Sequence, residues 1–143
     1  MSISADDPST ADPGRRRFLA AALALAAGGL LPATLQAAGA DVTARLTSAL
    51  SDPTSASRLG RAYLAAHPEE ADSEALAQRL EQALEARGAP AGDRDELIAG
   101  LNVLVQDEYV TAPLVSVDGW LLAQSEARLY ALAALAHGPA DLP

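Results

Sequence analysis

The sequence predicts a mainly α protein, a compact bundle of about five helices with one short β-hairpin at about residues 114–122, before the last helix. Three observations point there. Between Asp41 and Ala136, apolar residues recur at helical spacing in five segments. Capping residues open most of these segments, and Gly or Pro closes them. One stretch departs from the pattern: Leu114-Val115-Ser116-Val117 alternates with period two, Asp118-Gly119 is a two-residue turn signal, and Trp120-Leu121-Leu122 brings the chain back.

The first helix is expected over Asp41 to Leu50, with Val42, Leu46 and Ala49 along one side. Asp52 as cap and Pro53 as first helical residue start the second, which runs to about Ala66 and buries Leu59, Ala62, Tyr63 and Ala66. Gly60 beside that stripe suits the close approach of another helix. His67 to Ser73 reads as a turn. Asp72 or Ser73 then caps a third helix reaching about Arg87, with Leu76, Leu80, Ala83 and Leu84 inward and Gly88 closing it. After the linker Ala89-Pro90-Ala91-Gly92, Asp93 and Glu96 form a capping box for a fourth helix over about Arg94 to Tyr109. Its face of Leu97, Ile98, Leu101, Leu104 and Val105 is the most apolar of the domain. The hairpin of residues 114–122 is too small to stand alone in water and must lie on the helices or on another protein. Ser125 is expected to cap the last helix, Glu126 to about Ala136, with Leu129, Leu132 and Leu135 on one side.

The chain has 143 residues and a formal net charge of −9. From Asp41 onward, seven arginines face sixteen carboxylates, so that part alone carries the excess negative charge. Nucleic acid and anionic lipid surfaces would repel it, and no basic patch offsets the repulsion. There is no cysteine, which rules out disulfides, thiolate metal sites and a cysteine nucleophile.

The front of the chain has a different texture. Arg15-Arg16-Arg17-Phe18-Leu19 leads into an alanine-rich apolar run to Leu31, and a small-residue stretch ends in Ala38-Gly39-Ala40. A basic start, an apolar middle and an Ala-x-Ala end are the parts of an export signal. Phe18 to Leu31 is too short to span a bilayer, so no stable membrane span is expected in the mature chain. Arginines followed by x-Phe-Leu, and an apolar run of Ala and Gly, resemble twin-arginine signals, with Arg15, Arg16, Phe18 and Leu19 as the recognition residues. The expected division is a signal over 1–40, a helical domain over 41–138 and a loose tail over 139–143. Cleavage is expected after Ala40, with Ala38 as the other small residue of the motif and Ala37 as the alternative end.

Candidate chemistry after the signal is sparse. His67 and His137 sit at helix ends, where an imidazolium suits the dipole, and neither has another good ligand at i+3 or i+4. Glu69, Glu70, Asp72 and Glu74 lack the glycine-spaced pattern of a calcium loop and read as a solvated turn. The serines fall where caps and turns want them, with no nucleophile elbow and no phosphate-binding glycine loop. No catalytic residue, metal ligand or cofactor signature is assigned. The densest segment is Val115 to Leu132. Trp120 there is either the largest core residue or an interface anchor, since tryptophan serves both roles. Tyr109, Trp120, Leu122 and Tyr130 are the candidate partner contacts.

A twin-arginine leader before a small helical domain, with Glu108-Tyr109 ending a late helix, an extended segment at Leu114 to Leu122 and a helix over Glu126 to Ala136, resembles the small subunits of membrane-associated flavin-dependent dehydrogenases. The Trp-Tyr pair of that family's late helix is here the single Tyr109. The resemblance implies a non-catalytic accessory subunit that assists folding, co-export or assembly of a periplasmic redox enzyme. Its partners would be the twin-arginine translocation machinery and a larger flavin-dependent subunit. The alternative is a free-standing exported helical module that binds a small ligand or an envelope protein.

Overall fold

The computed structural model describes residues 33–89 and 92–138. In chain order the elements are α1 (Ala33–Thr47), α2 (Pro53–Ala66), a 3₁₀ turn (Pro68–Glu70), α3 (Ser73–Glu85), α4 (Arg94–Thr111), β1 (Val115–Val117), β2 (Trp120–Leu122) and α5 (Gln124–His137). The fold is mainly helical, with a two-stranded antiparallel hairpin before the last helix, as expected.

Three helix starts are made by the aspartates placed there in the sequence. The Asp52 carboxylate accepts from the Ser55 N–H at 3.1 Å. Asp72 accepts from the N–H groups of Glu74 and Ala75, which settles the third cap on Asp72 rather than Ser73. Asp93 and Glu96 exchange hydrogen bonds in a full capping box. Each satisfies donors that the first helical turn leaves without a partner.

Two boundaries differ from the sequence reading. The first helix begins at Ala33, not Asp41, because Ala33 to Ala40 is rich in the best helix former and holds no proline. It ends at Thr47, where the Thr47 and Ser48 hydroxyls donate to carbonyls of their own helix. The last helix begins at Gln124, and its cap position is Ala123 rather than Ser125. Alanine has no side-chain acceptor, so Glu108 of α4 does the capping: its carboxylate accepts from the Ser125 N–H and hydroxyl, both at 2.8 Å. A carboxylate at that end also complements the helix dipole.

Helix α5 is the centre of the body and packs on α1, α2, α3 and α4. Its contact with α2 is the most extensive, because small residues line the seam. A Cβ on Gly60 would lie 1.9 Å from the Tyr130 carbonyl oxygen. Ala127, Ala131 and Ala134 are buried on the α5 side. Leu46, Tyr63, Leu76, Leu80, Leu84, Leu97, Leu104 and Leu132 fill the remaining core. This core leans on leucine and alanine, as the composition requires. Among the described residues, no helix is long and apolar enough to cross a membrane.

Candidate interaction surface

Asp118 and Gly119 both have positive φ, 47° and 83°. That pair makes a type I′ turn, the tight hairpin turn whose twist matches the strands it joins. Val117 and Trp120 flank the turn, and Ser116 pairs with Leu121 and Val115 with Leu122. Directly opposed residues share a face, so Val115, Val117, Trp120 and Leu122 lie on one side of the ribbon and Ser116 and Leu121 on the other.

Val117 and Leu122 plug into the helical core, with Leu122 only 5% exposed. Leu122 is therefore a core residue and not a partner contact, which corrects the sequence reading. Trp120 shares its face but sits at the turn, beyond the helices that cover Leu122, and is 63% exposed. Leu121 points away from the body and is 61% exposed. Val110, at the end of α4, is 86% exposed; Val103 lies two turns earlier on the same side of that helix, and Leu114 also reaches solvent. The tip of the ribbon and the end of α4 thus carry the large apolar residues that the core does not use.

Two polar clusters tie the elements together, the first of them beside this surface. Tyr109 is partly exposed, and its hydroxyl lies 3.0 Å from both the Leu121 carbonyl and the Glu126 carboxylate. Glu126 also accepts from the Tyr130 hydroxyl at 2.8 Å and from the Ala123 N–H at 3.4 Å. Tyr130 is half-buried in this cluster. Burial first, and the Glu126 carboxylate second, push its hydroxyl pKa above the usual range. The same causes raise that of Tyr109.

The second cluster centres on Glu70, whose side chain is 11% exposed. Arg128 of α5 grips it bidentately, Nη2 to Oε1 at 2.8 Å and Nε to Oε2 at 3.0 Å. Arg79 of α3 donates to Oε1 at 2.8 Å, and the Tyr63 hydroxyl of α2 donates to Oε2 at 2.8 Å. Gln124 in turn donates to the Tyr63 oxygen at 2.8 Å. The Arg128 hydrogen bonds hold Glu70 down at about 2 against the opposing effect of burial. Burial raises Tyr63 to about 12. Reading residues 69–74 as a solvated turn therefore fails at Glu70, because Arg128 and Arg79 neutralise it. Those partners lie 58 and 9 residues away, and no local pattern announces either.

Of the other candidates, Ala38 and Ala40 lie on exposed positions of α1. Arg15, Arg16, Phe18 and Leu19 fall outside the described residues. His67 stacks on Tyr63 with ring centroids 4.6 Å apart. The Nδ1 of His137 is 2.8 Å from the Ala133 carbonyl. Among the described residues no group of three or more His, Cys, Asp or Glu is placed to hold a metal ion. A groove of about 590 Å³ runs between α1, the start of α3 and the end of α5, lined by Thr43, Thr47, Ser73, Glu74 and His137 together with small apolar residues.

Comparison with protein-family models, curated proteins and solved structures returns no match.

Proposed function

We propose that this protein is an exported, non-catalytic accessory subunit that docks on a larger redox enzyme and assists its folding, co-export or assembly. The observation that carries the reading is the exposed hairpin tip, where Trp120 and Leu121 are 63% and 61% exposed. Large apolar side chains gathered at one projecting point are costly to leave in water and gain most by entering a partner's pocket. The Arg15-Arg16-Arg17-Phe18-Leu19 leader supports the route, since the twin-arginine machinery carries folded passengers, and a partner bound before export would travel in the same step.

The test is recovery of the tagged full chain from the periplasm. A larger flavin-containing polypeptide should come with it and should be lost when Trp120→Ala and Leu121→Asp are introduced, while thermal unfolding stays unchanged. Recovery of the chain alone and monomeric overturns the reading. Replacing Arg15 and Arg16 by Lys should leave the chain in the cytoplasm; undiminished export of that variant removes the twin-arginine assignment. A free-standing binding module is the second reading. It is favoured by the groove between α1, α3 and α5, which is large enough for a small ligand.

A further inference from the structure

The two edges of the hairpin are not equivalent. A two-residue turn makes Val117–Trp120 the hydrogen-bonded pair, so alternation makes Ser116–Leu121 the pair whose N–H and C=O groups point outward. On β2, that outward carbonyl of Leu121 is met by the Tyr109 hydroxyl at 3.0 Å. The same hydroxyl lies 3.0 Å from Glu126 Oε2, in the first turn of α5. Glu126 is itself fixed by Tyr130 and by the Ala123 N–H. One side chain thus ties the end of α4, the edge of β2 and the start of α5 together, directly beneath the exposed tip.

We infer that Tyr109 is a positioning residue: its hydroxyl, sharing its one proton between the Leu121 carbonyl and the Glu126 carboxylate, latches β2 to the end of α4 and holds Trp120 and Leu121 in one fixed orientation. The sequence reading made Tyr109 a contact residue, and this assigns it the task of holding the contacts in place. The purpose of the latch rests on the docking role proposed above; its geometry does not. Holding the tip still lowers the ordering cost of association, because the tip is arranged before the partner arrives. A hairpin of three-residue strands has little rigidity of its own.

The experiment is amide hydrogen exchange on the full chain without any partner, comparing Tyr109→Phe, Tyr130→Phe and the parent. Tyr109→Phe keeps the ring and removes the latch, so the Trp120 and Leu122 amides should exchange roughly five-fold faster, the factor set by the loss of one ordinary hydrogen bond. Amides in the middle of α5 should keep their parent rates, which separates a released hairpin from a weakened body. Tyr130→Phe removes a bond to the same carboxylate without touching β2 and should leave the hairpin rates at parent values. Unchanged exchange at Trp120 in Tyr109→Phe, or equal acceleration in Tyr130→Phe, overturns the latch. Neither result depends on whether a partner exists, so failure of the docking role would be seen separately, in the periplasmic recovery.

Discussion

Glu70 joins the 3₁₀ turn to α2, α3 and α5 through one carboxylate that accepts four hydrogen bonds. Burying a charge is costly unless it is paired and hydrogen-bonded, and here both conditions hold. Because its folded pKa, about 2, lies below the ordinary value of 4.5, the carboxylate stabilises the fold fully above about pH 4.5 and loses that effect as pH falls toward 2. Glu70→Gln should therefore be less stable than the parent near neutral pH, by on the order of 2 kcal/mol after allowing for solvent at the cluster's rim. The gap should close as pH drops through that window. Urea denaturation at several pH values reads both effects, and a gap independent of pH would mean that the ion pairs contribute little. None of this was legible in the sequence. Glu70 sits in an acidic run that resembles a solvated turn, and Arg128 is 58 residues away. Asp52 and Asp93, by contrast, cap helices whose first residues follow them directly, so their roles could be read from a few letters, and at the third helix those letters narrowed the cap to Asp72 or Ser73.

At the scale of elements, the α2–α5 seam depends on residues chosen for smallness. Gly60 has no room for a methyl group: its Cβ would lie 1.9 Å from the Tyr130 carbonyl oxygen and 2.3 Å from the carbonyl carbon, and backbone cannot swing aside as a side chain can. Gly60→Ala must push the two helices apart or bend one of them, at a cost of roughly 3 kcal/mol. That corresponds to a fall in melting temperature of roughly 15 °C for a domain of this size. A drop of only a few degrees in calorimetry would show that the seam has slack. The sequence pointed to a close helix approach at Gly60, but it did not say which helix arrives. It also misplaced the start of the last helix. Ser125 is a good cap by type, yet Glu108 from another helix supplies the acceptors, and a capping partner 17 residues distant lies outside any local rule.

Across the whole molecule, the burial of α1 is uneven. Ala37, Ala38 and Ala40 are exposed, whereas Leu46 is fully buried and Val42 packs against the core. Arg45 also pairs with Glu81 of α3 at 2.9 Å. A chain beginning at Asp41 would keep all of these contacts. Its melting temperature should fall by no more than about 5 °C if the contacts of Val42, Arg45 and Leu46 are what anchor α1. A larger loss would show that residues before Asp41 help to hold the body together, and would argue against removal of the leader after Ala40. The sequence alone determined the helical class, the five helices among the described residues, the hairpin and its turn, and the caps at Asp52 and Asp93, because periodicity, turn chemistry and capping act over a few residues. Only the tertiary structure decided that Leu122 enters the core while Trp120, on the same face, stays in water. It alone decided that Glu70 is neutralised, that Glu108 caps α5 and that Tyr109 meets β2. Those outcomes depend on where distant helices end relative to one another, and contacts between residues far apart in the chain leave no mark in local spacing.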